Sequence, residues 1–105
     1  MEATIEFVCS DEESKALDHL FKNNGERYNL HKAAEEFQEL GLVLNQKLLK
    51  PGKVKDQEII DEIGDCLIRL KILTRMFPQE AIDKRVAYKL SKYKEYIDHE
   101  KYQHI

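Results

Sequence analysis

The chain has no tryptophan, and among its 105 residues only two cysteines, two prolines and four glycines. With so few glycines, none of them clustered, there is no glycine-rich loop to cradle a phosphate. Cys9 and Cys66 lie far apart and form no CxxC, so neither a zinc knuckle nor a redox pair is expected. No apolar run approaches the roughly 18 residues of a membrane span. The opening MEATIEFVCS lacks the basic start and long apolar stretch of a secretory leader. Charge of one sign is also lacking, with 17 basic against 20 acidic side chains and a net charge of −3. That balance offers no general attraction to a nucleic-acid polymer or an anionic membrane. A cytoplasmic protein with no membrane partner is the expectation.

What is present is apolar content, 42% of the chain, arranged in helical rhythm. The length predicts one domain over residues 1–105. At this size, partner subunits would add useful buried area. TIEFV at residues 4–8 alternates like a short strand, but nothing obvious pairs with it. The first helix is expected from Ser10, which has Glu13 at capping-box spacing. Ala16, Leu17, Leu20 and Phe21 form its apolar edge, and Asn23-Asn24-Gly25 ends it. The second runs from about Asn29 to Lys50 with a stripe of Leu30, Ala33, Phe37, Leu40, Leu44 and Leu48. Pro51-Gly52 stops it.

The third helix is expected from Asp56 to Phe77, with Ile59, Ile60, Ile63, Cys66, Leu67, Leu70, Leu73 and Phe77 on one face. Cys66 therefore reads as a small buried core residue rather than a reactive thiol. Pro78 opens the fourth helix, whose stripe is Ile82, Val86, Leu90, Tyr93 and Ile97. The polar tail after His99 is expected to fray. Short links make consecutive helices antiparallel. The predicted fold is all-α, an up-and-down antiparallel bundle of about four helices.

Two acidic clusters stand beside these stripes, EEFQE at residues 35–39 and EIGD at 62–65. Shifting the second helix by 26 positions lays Glu36 on Glu62 and Glu39 on Asp65, and Ala33 on Ile59. At about 100° per residue, each acidic pair falls on the same side of its stripe. Packed antiparallel through those stripes, the helices bring the pairs to one place. Four carboxylates there repel one another unless a cation neutralises them, and all-oxygen ligation suits Mg²⁺, or Mn²⁺. Chance also supplies acidic pairs freely in so acidic a chain, and a solvated helix surface is the alternative reading. A helical di-iron site calls for Glu-x-x-His, and none of His19, His31, His99 or His104 follows a glutamate by three.

EEFQE followed after 22 residues by EIGD resembles the EExxE…ExxD pattern of the MazG-like, all-α nucleoside triphosphate pyrophosphohydrolases. HKAAEEFQEL looks like that family's first catalytic helix and DEIGDCLIRLKILTRM like its second, and the resemblance covers about residues 28–95. It implies hydrolysis of a nucleoside triphosphate to the monophosphate and pyrophosphate, with Mg²⁺ held by Glu36, Glu39, Glu62 and Asp65. Glu35 would be an outer partner or a base beside Glu36. It also implies a homodimer or homotetramer.

AYKLSKY looks like the stretch where the family places a phosphate-binding lysine, here Lys89, followed a turn later by an arginine. No arginine stands at that later position. Arg69 and Lys32, on the acidic sides of their helices, are further candidates for phosphate, with intrahelical ion pairs as the alternative for each. A nucleotide- or metal-binding regulatory module with little turnover, and a helical adaptor with surface acids, remain the competing readings of the chain.

Overall fold

The structure, a computed structural model, describes residues 9–99. Their regular elements are all helical: α1 (Asp11–Leu49), a 3-10 turn at Pro51–Lys53, α2 (Asp56–Leu73), a second 3-10 turn at Thr74–Met76, and α3 (Gln79–Asp98). No strand occurs among the described residues. TIEFV and the tail beyond His99 lie outside them. The described residues form two compact units, one carrying α1 and α2 and ending at Met76, the other beginning at Phe77 and carrying α3.

Three helices stand where the sequence predicts about four. The capping box is present: Glu13 N–H donates to Ser10 Oγ, and Ser10 N–H donates back to the Glu13 carboxylate. The predicted stop at Asn23-Asn24-Gly25 is a kink instead. Gly25 leaves the helical path with φ 81° and ψ 165°, a conformation that L side chains rarely adopt. The chain then resumes helix at once. Asn29, only 1% exposed, explains how. Its Nδ2 donates to the carbonyls of Phe21 at 3.3 Å and Gly25 at 2.9 Å, stitching the two halves of α1 together.

Asn29→Leu, which leaves these carbonyls without that donor, is expected to destabilise the protein by about 1–3 kcal/mol in urea titrations. Gly25→Ala should cost about 1–2 kcal/mol through backbone strain alone, since nothing lies within 4 Å of an added Cβ there. Unchanged midpoints for both variants would refute the stitch.

Pro51 begins the turn that reverses the chain, and Val54 is buried beneath it. Contacts at three levels then show α1 and α2 running antiparallel. Near the turn, Lys47 Nζ sits 3.7 Å from the Asp56 carboxylate and donates to Val54 O. Midway, the Cys66 thiol donates to the Glu36 carbonyl at 3.3 Å. At the far end, Arg75 pairs with Asp18 and reaches the carbonyls of Lys71 and Ser14. The Arg75 guanidinium holds the Asp18 carboxyl below its ordinary value. α2 ends at Leu73 rather than at the predicted Phe77, because Thr74 and Arg75 side chains take the Lys71 carbonyl and tighten the last turn. Pro78 caps α3 from just outside it.

The buried hydrophobic residues are Leu17, Ala33, Val54, Cys66 and Ile72. Cys66 is thus the core residue its stripe predicts. Most of the predicted stripe is more open than a core: Leu30, Phe37, Leu44 and Leu48 on α1, and Ile60, Ile63 and Leu70 on α2, are exposed. One helix-to-helix contact is narrower than the apolar arc of either helix, so part of each arc stays uncovered. α3 has no buried residue. Its cations lie over its own tyrosines, Arg85 and Lys92 over Tyr88 and Lys89 over Tyr93. No helix among the described residues is long and apolar enough to cross a membrane.

Candidate metal centre

The Cys66–Glu36 contact places the acids. It presses the residue after Asp65 against the α1 backbone at Glu36. Glu62, one turn earlier on α2, is carried to the same level. As a result Glu36, Glu62 and Asp65 each bring a carboxylate oxygen within 4.8 Å of the others. Asp65 is exposed, whereas Glu36 and Glu62 are partly buried, so the group opens to solvent on the Asp65 side.

Its electrostatics are those of uncompensated negative charge. One oxygen of Glu36 and one of Glu62 are buried with no hydrogen-bond partner. Burial, then the charges of Glu39 and Asp65, a hydrogen bond shared with Glu39 and the charge of Glu35, push the Glu36 carboxyl above its ordinary value. Burial and the charges of Asp65, Glu36 and Asp61 do the same to Glu62. Burial and the same acids also raise the Cys66 thiol, which keeps it protonated and unreactive.

The other predicted residues are placed differently. Glu39 is exposed and outside the converging trio, close enough to Glu36 to share a hydrogen bond. Glu35 lies 3.6 Å from Lys32 Nζ, so Lys32 makes the intrahelical pair that was its alternative role. Arg69 makes no such pair with Asp65 among the described residues, and its Nη1 is buried without an acceptor. Lys89 belongs to the unit that carries α3, with its Nζ 5.4 Å from the Tyr93 ring centre. The thiol-to-carbonyl contact that aligns the acids was not legible in the sequence. Its one signal there is a small apolar residue directly after the aspartate, on the buried stripe.

The donor set fits a hard divalent cation. All three ligands are carboxylates, two of their oxygens are buried without a partner, and the charges repel one another without a counter-ion. Comparison of the chain with protein-family models, curated proteins and solved structures finds no match. The functional reading therefore stands on the site itself and on the EExxE…ExxD resemblance.

Proposed function

We propose that this protein is a Mg²⁺-dependent, MazG-like nucleotide pyrophosphohydrolase, cleaving a nucleoside triphosphate to the monophosphate and pyrophosphate. The observation that carries the reading is the convergence of Glu36, Glu62 and Asp65 from two helices, with carboxylate oxygens left buried and unpartnered. Glu36, Glu62 and Asp65 would hold the cation directly, with Glu39 completing the set from the solvent side. When bound, such an ion supplies positive charge to the triphosphate and makes a nearby water easier to deprotonate.

The chain's own residues do the rest. Glu36 and Glu62, seated on opposing helices, would hold the cation between α1 and α2 and so set where a triphosphate could lie. Glu35, oriented by Lys32, is the outer carboxylate available to take the proton of the attacking water. The bond broken joins the α-phosphorus to the oxygen it shares with the β-phosphate, and pyrophosphate leaves with that oxygen. Lys89 is the cation that the resemblance assigns to phosphate. A second copy of the chain is the proposed cover for the exposed apolar arcs at Leu30, Phe37 and Leu44 on α1 and at Ile60, Ile63 and Leu70 on α2. The assembly is a homodimer or homotetramer.

A panel of ribo- and deoxyribonucleoside triphosphates tested with Mg²⁺ or Mn²⁺ should release pyrophosphate from at least one of them. Light scattering in the same buffers should report two or four subunits. Folded, metal-supplied protein that cleaves none of the panel removes the hydrolase reading, and a monomer removes the assembly. Tight nucleotide binding without turnover selects the regulatory module instead.

A further inference from the structure

Arg69 stands on α2 four residues after Asp65 and seven after Glu62. Long side chains on a helix lean toward its N-terminus, and on α2 that is the direction in which Asp65 and Glu62 lie. Asp65 is the partner that helix geometry offers it. No ion pair forms between them, and no hydrogen bond of Arg69 occurs among the described residues. A guanidinium does not lose its charge at any ordinary pH. Arg69 is partly buried, and a donor nitrogen sealed from water without an acceptor is costly, so native proteins rarely retain one without use.

The acids are not neutralised by it either. One carboxylate oxygen of Glu36 and one of Glu62 are buried with no hydrogen-bond partner. The described residues thus hold unpartnered carboxylate oxygens at Glu36 and Glu62 and, one turn along α2 from Asp65, an unpartnered guanidinium nitrogen at Arg69. They do not satisfy each other.

A single kind of ligand resolves both, namely a divalent cation complexed to a polyphosphate. Its metal would be held by the carboxylates, and its non-bridging oxygens would be acceptors for the guanidinium, which favours bidentate pairing with phosphate. The register supports this placement. Counting three residues onward from Cys66 and three back from Glu36 gives Arg69 and Ala33, and Ala33 is buried. At that level α1 therefore presents a methyl side chain and not a bulky one. Asn29 Oδ1, also buried without a partner, is an acceptor, the wrong polarity for phosphate, and takes no part.

We propose that Arg69 is a phosphate-binding residue, donating to non-bridging oxygens of a polyphosphate held through a divalent cation at Glu36, Glu62 and Asp65. The proposal rests on reading those acids as a cation site, but not on hydrolysis.

The test is calorimetry with inorganic tripolyphosphate, which carries no nucleoside and isolates the phosphate contact. Wild-type protein should bind it with Mg²⁺ present and lose that binding in chelator. Arg69→Gln should weaken it by about tenfold or more, and Arg69→Lys by less. Mg²⁺ alone should bind Arg69→Gln as well as wild type, or better, because a nearby positive charge is gone. Equal tripolyphosphate affinity in Arg69→Gln overturns the proposal, as does a parallel loss of Mg²⁺ binding, which would mark a structural role. Absence of tripolyphosphate binding by wild type overturns it too.

If Arg69→Gln does not fold, mass mapping of wild type treated with phenylglyoxal decides. Mg²⁺-tripolyphosphate should protect Arg69 but not Arg27 or Arg85, and equal modification with and without ligand counts against the proposal. Arg69-dependent binding in a protein that cleaves no nucleotide would leave this inference standing while the hydrolase reading falls. Pyrophosphate release with an unaltered KM in Arg69→Gln would do the reverse.

Discussion

Replacing Glu36, Glu62 or Asp65 by its amide is expected to lower Mg²⁺-dependent pyrophosphate release by about a thousandfold or more, and at the same time to raise the melting temperature in metal-free buffer. The two effects share one cause. In the absence of a cation, three carboxylates with oxygens within 4.8 Å repel one another, and two of those oxygens are buried without donors. An amide removes one charge from the group and introduces a donor for its neighbours, so the metal-free fold gains.

The same change removes a ligand, so the stabilisation by Mg²⁺ should shrink or vanish. For wild type, an ion at about one hundred times its dissociation constant contributes about 2.7 kcal/mol. In a domain of this size that amounts to a melting shift on the order of ten degrees. Glu58→Gln, at an exposed acid on α2 outside the group, serves as the control and should change neither property. Thermal melts in chelator and in Mg²⁺ give both readouts. Amide variants that keep the full Mg²⁺ shift would show that the acids are only surface.

The second large effect is on the pH dependence of stability, and its sign follows from the raised carboxyls. Glu36 and Glu62 lie above their ordinary value of 4.5 in the folded protein. Between 4.5 and the raised values, the folded state binds more protons than the unfolded one. Stability from these groups therefore falls as pH rises through that window. Metal-free protein should melt higher near about pH 5 than near about pH 7.5.

Mg²⁺ should reverse the trend, since the ion binds the deprotonated carboxylates and gains affinity as pH rises. Asp18 and Glu13 act in the opposite sense, because Arg75 and the Ser10 cap hold them below their ordinary values. What they contribute is present above 3.8 and 4.5 and is lost as pH falls through their lowered values. Both are open to solvent screening, and their change falls on the acid side of the interval compared. Melts across this range, with chelator and with Mg²⁺, test the reversal. A metal-free stability that climbs steadily to neutral pH, unaltered in Glu36→Gln, would contradict it.

The 26-residue echo was enough to place Glu36 and Glu62 on matching sides of their stripes, because side-chain direction on a helix follows from position alone. It was not enough to say which oxygens meet. The wheel treats Glu39 as the equal of Glu36, yet Glu39 lies outside the converging trio. That selection depends on the axial register of α1 against α2, set by Cys66 on the Glu36 carbonyl. Arg69 shows the same limit from the other side. Spacing offered it Asp65, and tertiary surroundings left its Nη1 buried without an acceptor.

The stop at Gly25 was visible as a break in helical preference. Its outcome as a kink was not, because that depended on Asn29 reaching back over eight residues to Phe21. By itself, then, the chain determined an all-helical fold, the capped start at Ser10, the proline-led turn, and the sides of the helices that carry acid and apolar groups. These are local matters of propensity, capping and period, settled within a turn or two of backbone. Only the tertiary structure decided which acids converge, which arginine lacks a partner, and that α2 covers so little of the apolar arc. Each of those depends on how far one helix slides and turns against another, a quantity no single segment encodes.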